Sequence, residues 1–99
     1  MMTPTPSTPI DRTQLASEVD SLKSDLAALP RRDVIDKAIY HCERLAIAIR
    51  ASHNEGTRFA AFTVSKIVRD HAGELPPAVV SRMQSIRTAL EATGLDLSK

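Results

Sequence analysis

Ser52-His53-Asn54-Glu55-Gly56-Thr57 either joins two apolar repeats into one helix or separates them, and the fold turns on which. Upstream, Ile35, Ile39, Cys42, Ala46 and Ile49 recur at alternating steps of four and three. The alternation runs on through His53 to Gly56, Ala60, Thr63 and Ile67. That spacing puts every one of these residues on a single helical face. Ala38, Leu45 and Val64 widen the face, while Asp36, Glu43, Arg44, Arg58 and Arg69 fall opposite. Within the joining segment, Asn and Gly are turn and C-cap residues, and Thr57 is able to cap a new helix. A Gly inside a helix costs about 1 kcal/mol relative to Ala. On the other side, a loop has no reason to preserve helical register. The register predicts one continuous helix from Asp33 to His71, roughly 58 Å long at 1.5 Å per residue. The alternative is a compact four-helix bundle broken near Asn54–Thr57.

The flanks read as two shorter helices. In the first, Leu15, Val19, Leu22, Leu26 and Leu29 form a narrow seam, with Glu18, Asp20, Lys23 and Asp25 facing out. Asp11 as N-cap, Gln14 three residues on, and the pair Ile10 and Leu15 make a capping box with a hydrophobic staple. Pro30 ends this helix. The link Pro30-Arg31-Arg32 is so short that the helix folds back antiparallel on the central one. The last helix runs from about Ala78 to Thr93 on a seam of Val79, Met83, Ile86 and Leu90, widened by Val80. Pro77 suits its first position and Gly94 its end. Leu95 and Leu97 are placed to pack back. The first helix covers one half of the central helix and the last covers the other. The predicted fold class is therefore all-α, a long central helix flanked by two shorter antiparallel helices. Each half is only two helices thick, so the chain is expected to dimerise.

Composition agrees with one helical domain over residues 10–99. The chain has 99 residues, 42% hydrophobic but only 3% aromatic, with 3 Gly. An aliphatic, Gly-poor chain favours helices over sheets. Residues 1–9, with Pro4, Pro6 and Pro9 interspersed with Thr and Ser, are expected to form a disordered or extended Thr/Pro-rich tail. A net charge of +1 argues against a dedicated nucleic-acid or anionic-membrane binder. A single cysteine excludes an internal disulfide and fits a reducing compartment. With no apolar run of membrane length and no leader-like N-terminus, a soluble cytoplasmic protein is expected.

No constellation of reactive residues stands out, so no enzyme, cofactor or metal is expected. His41, His53 and His71 lie twelve and eighteen residues apart, whereas helical metal ligands need spacings of three or four. They read as seam or surface histidines. Cys42, between Ile39 and Ala46, reads as a small buried hydrophobe. No Gly-x-Ser-x-Gly context surrounds any serine. His53-Asn54-Glu55-Gly56 looks superficially like a phosphotransfer histidine site, but the Lys-Gly that should follow such a histidine is absent.

Two binding readings remain. Residues 48–69 are long enough for a helix-turn-helix-like segment with Arg58, Lys66 and Arg69 on its second helix, the mark of a small DNA-binding regulator. The start of that helix, Thr57-Arg58-Phe59-Ala60-Ala61-Phe62, is apolar where base-reading side chains belong. The other reading starts from apolar residues on the wrong face. Tyr40, Ile47, Ala51 and Phe62 project away from the seam, Phe59 lies to one side, and Arg44, Arg58 and Arg69 are interleaved with them. Aromatic and Arg side chains on a polar face suit a protein interface. The seven other than Ala51 are the candidate partner-binding set, for self-association or for another protein.

Leu29-Pro30-Arg31-Arg32-Asp33, Ala38-Ile39, His41 and Arg44-Leu45 together resemble the small helical antiactivators of bacterial quorum sensing, of the TraM and QslA types. The resemblance covers a small part of the chain and carries over no functional residue. It implies a helical dimer that binds and inhibits a LuxR-type transcription factor. The expected function is thus a non-enzymatic regulator acting through protein–protein contact.

Overall fold

In the computed structural model, which describes residues 12–95, the leucine repeat of the first helix becomes the spine of a bundle. Helix α1 (Arg12–Ala27) buries Leu15, Ala16, Val19, Leu22 and Leu26. Helix α2 (Asp33–Arg50) buries Ile35, Ala38, Cys42, Leu45, Ala46 and Ile49. Helix α3 (Asn54–Asp70) follows, then a 3-10 turn at Ala72–Glu74, and helix α4 (Pro77–Ala92) buries Val79, Met83, Ile86 and Leu90. No strand occurs among the described residues.

Short links reverse the chain after each helix. Each helix packs on its neighbours in sequence, and α4 closes against α1. Leu22, Leu45, Val64 and Ile86, one from each helix, are among the fully buried side chains of the shared core. Burying a side chain of this size stabilises the fold by about 2 kcal/mol. Ion pairs lace the outer seams. Asp20 accepts from Arg50 at 2.8 Å across α1 and α2, and Arg82 of α4 reaches both Asp25 (2.9 Å) and Glu18 (3.1 Å) on α1.

The expected long central helix is interrupted, and the compact four-helix bundle forms instead. The break lies at Ala51-Ser52-His53, just ahead of Asn54–Thr57, and it is built from named bonds. Ser52 takes a left-handed conformation with φ 59°. Its N–H donates to the Ile49 carbonyl at 3.1 Å, and the His53 N–H donates to the Ala48 carbonyl at 2.9 Å. Together these satisfy the last carbonyls of α2 in a Schellman arrangement, with Ser52 where glycine is usual. His53 then caps α3: its Nδ1 accepts the Gly56 N–H at 2.9 Å, and its carbonyl accepts from the Thr57 N–H and hydroxyl. Asn54, Glu55 and Gly56 are the first turn of α3 rather than a loop. His53 is exposed at the junction rather than seated in an apolar seam.

The register argument failed by one residue. α3 buries Thr57, Ala60, Ala61, Val64, Ser65 and Val68, while Gly56, Thr63 and Ile67 are only partly buried. One residue is a rotation of about 100°. The pairs Ala60-Ala61, Thr63-Val64 and Ile67-Val68 present an apolar or small side chain in either register, so the turn is invisible to the periodicity.

α1 ends at Ala27, short of Leu29 and Pro30, while both ends of α4 agree with their signals. α4 starts at Pro77, and Gly94 terminates it with φ 99°. Leu95 packs against the core. The capping box at Asp11, the staple through Ile10, the Thr/Pro-rich tail and Leu97 lie outside the described residues. Four helices already surround one core, so the two-helix thickness that called for a second copy does not arise.

Candidate functional site: a groove between α2 and α3

None of the chain's three aromatic side chains is buried. A globular core normally takes aromatics first, because each can bury 150–250 Å². Here the small Ala48 of α2 and Gly56 of α3 face one another, and the large Tyr40, Ile47 and Phe59 stay outside. The three large hydrophobic side chains exposed among the described residues are Tyr40 (54%), Ile47 (62%) and Phe59 (66%). All three line one open groove of about 470 Å³.

The groove is a product of helix phase. On α2, Tyr40, Arg44, Ile47 and Ala51 follow one another at steps of four, three and four along the outer face. His41 and Ala48 lie beside them on the flank toward α3. From α3 come Gly56, Phe59 and Ala60. The small residues let the helices approach closely. A methyl group added at Gly56 would stand 2.8 Å from His53 Nδ1 and 3.4 Å from the Ala48 side chain. Gly56 therefore serves both the cap and the floor of the groove, with Tyr40, Arg44, Ile47 and Phe59 as its rims.

The electrostatics are one-sided. His41 meets Tyr40 edge-on, with ring centroids 5.1 Å apart. Partial burial, then the charges of Lys37 and Arg44, hold its imidazole below the ordinary value of 6.5. On α2 and α3 the other Lys and Arg side chains are paired: Arg50 with Asp20, Arg58 with Glu55, Lys66 and Arg69 with Asp70. Among the described residues Lys37 and Arg44 make no ion pair or side-chain hydrogen bond.

The structure divides the seven residues singled out in the sequence. Tyr40, Arg44, Ile47 and Phe59 converge on the groove. Arg58, Phe62 and Arg69 do not line it. Helix phase turns them to the flank of α3 that also carries Ser65, whose hydroxyl accepts from Arg87 of α4 at 3.4 Å. Ala51, read as off-seam in the sequence, also lines the groove, whereas His41, Ala48, His53 and Gly56 were missed. Their signal was present in the i, i+3 and i+4 relation of His41 and Ala48 to Arg44. It needed the turn at Ser52 to fold α3 alongside.

Residues 48–69 form the end of α2, the turn and most of α3, packed as antiparallel bundle neighbours. DNA-binding helix-turn-helix units instead set their helices at about 90–120°. All four cations of that segment are paired: Arg50 with Asp20 at 2.8 Å, Arg58 with Glu55 at 2.7 Å, and Lys66 and Arg69 with Asp70 at 2.9 and 3.8 Å. Cys42 is buried between α1 and α2, and burial pushes its thiol up to about 12, which leaves it protonated. Among the described residues no group of three His, Cys, Asp or Glu side chains is placed to share a metal ion. No described helix is long and apolar enough to cross a membrane. No family model, curated protein or solved structure matches the chain.

Proposed function

We propose that this protein is a non-enzymatic regulator that works by holding another protein in the groove between α2 and α3. One observation carries the reading: the only large hydrophobic side chains exposed among the described residues converge on that groove. Apolar area left in water costs about 25 cal/mol per Å², and large contiguous patches mark binding surfaces. The resemblance to quorum-sensing antiactivators makes a LuxR-type transcription factor the first partner to test. A homodimer is the competing use of the same surface, since a second copy would cover Tyr40, Ile47 and Phe59 equally well in area.

The test pairs affinity purification with light scattering. Wild-type protein should retain a specific partner that the Ile47→Ser/Phe59→Ser variant loses, while both melt alike because neither side chain is in the core. Retention of the same partner by both would sink the groove as the binding surface. A stable dimer that the double variant dissolves, with nothing else retained, would assign the groove to self-association instead.

A further inference from the structure

From the charges around the groove we infer the chemistry of its occupant: an amphipathic helix of a partner protein whose apolar seam is flanked by Asp or Glu. The inference rests on the groove being a protein-binding site, and adds what that protein must present.

The shape comes first. A groove between two antiparallel helices accepts a third helix along their length, with apolar anchors at i, i+3 or i+4, and i+7. Tyr40, Ile47 and Phe59 supply the rims for such anchors, and Ala48 and Gly56 the floor. The charge then selects the partner. Lys37 and Arg44 stand two turns apart on α2, with His41 between them, and neither is neutralised. No acidic residue lines the groove, and the nearby Glu55 is engaged by Arg58. A residue pair seven apart on one helix meets carboxylates at the same spacing on an adjacent helix.

The other occupants fit less well. A second copy of this chain would bring its own unpaired Lys37 and Arg44 to a surface that lacks carboxylates. The segment Thr3–Pro9 has no carboxylate to offer. Nucleic acid needs a track of cations along its phosphates, and here two cations border a surface of Tyr40, Ile47, Ala48, Ala51 and Phe59.

Fluorescence anisotropy on the full chain tests this with three labelled helical peptides of about 16 residues, roughly 24 Å of helix. One carries a Leu seam flanked by Glu, the second replaces Glu with Lys, and the third replaces the seam Leu with Ser. The Glu peptide should bind about tenfold more tightly than the Lys peptide at low salt, the effect of two exposed ion pairs acting together. The Ser peptide should not bind. The Lys37→Glu/Arg44→Glu variant, altered only at exposed positions, should reverse the preference between Glu and Lys peptides. Equal binding of the two charged peptides, preference for the Lys peptide, or no binding of either overturns the acidic-helix assignment. So does displacement of the bound peptide by a peptide of residues 1–11 or by oligothymidylate. If a partner is still lost with Ile47→Ser/Phe59→Ser while the peptides fail, the groove stands and only its acidic specificity falls. If that variant keeps every partner, both fall.

Discussion

The α1/α4 side of the bundle and the α2/α3 side use the same apolar repeats in opposite ways. α1 and α4 put Leu15, Val19, Leu22, Leu26, Met83, Ile86 and Leu90 inside and lock their outer seam with Arg82 between Glu18 and Asp25. α2 and α3 bury Ile35, Leu45, Ile49, Val64 and Val68 together with the small Ala38, Cys42, Ala46, Ala60, Ala61 and Ser65, but leave Tyr40, Ile47 and Phe59 in solvent. The first arrangement maximises burial. The second forgoes it at residues that would contribute most, and gains a close helix approach with an apolar trough above it. The α1/α4 side keeps its large apolar side chains inside, and the α2/α3 side leaves three of its own in solvent.

The largest expected effect tests that division directly. Leu22→Ala should lower unfolding free energy by about 3 kcal/mol through lost burial and a cavity. Phe59→Ala should change it by less than about 0.5 kcal/mol, as exposed substitutions do. Urea denaturation of the two variants reads both, and similar losses would erase the distinction between the two sides. Next comes the turn that creates the second side. Ser52→Gly relieves a left-handed non-glycine residue and should raise stability by about 1 kcal/mol. His53→Ala removes the cap on Gly56 and should lower it by about 1 kcal/mol, with His53→Asp restoring it. A continuous α2–α3 helix would respond with the opposite signs, losing stability with Ser52→Gly and gaining it with His53→Ala.

A smaller effect belongs to the clamp. Arg82 is partly exposed, and its carboxylate partners, Asp25 first, raise its already high proton affinity. Arg82→Met should cost under about 1 kcal/mol and lose its salt sensitivity, since exposed networks are screened. Thermal melts at low and high salt measure this. The smallest effect is a slope with pH. His41 is held below 6.5 in the folded chain, so the unfolded chain binds the extra proton just below that pH. The stability contributed by neutral His41 is complete above 6.5 and is lost as pH falls through the lowered folded value. His41→Gln should flatten the stability curve just below pH 6.5 relative to wild type. An unchanged slope would mean that neither burial nor the charges of Lys37 and Arg44 disfavour the protonated imidazole.

The same contrast explains what was legible in the residues. α1 and α4 were readable because their large side chains occur singly at seam spacing and their ends carry Pro30, Pro77 and Gly94, whose backbone limits act locally. The break before Asn54 was not. Ser52 has no preference for the left-handed backbone this turn needs, His53 is an uncommon cap, and the doubled small residues of α3 support two registers. For the site, Tyr40, Arg44, Ile47 and Phe59 were recognisable as residues out of phase with burial. Arg58, Phe62 and Arg69 carried the same sign and yet belong to another flank, because one helix side faces α2 and the other α4.

The sequence by itself determined that this chain is helical, where its outer helices lie, and that several large apolar residues have no place in their helices' cores. Those are properties of local propensity and of spacing along one element. Only the tertiary structure decided that α2 and α3 are separate, that they meet through Ala48 and Gly56, and that Tyr40, Ile47 and Phe59 share one groove with unpaired Arg44 at its rim. The physical reason is that a turn of three residues changes helix phase by an amount the flanking small side chains tolerate in either register, so the choice rests with hydrogen bonds at Ser52 and His53 and with burial across the whole bundle.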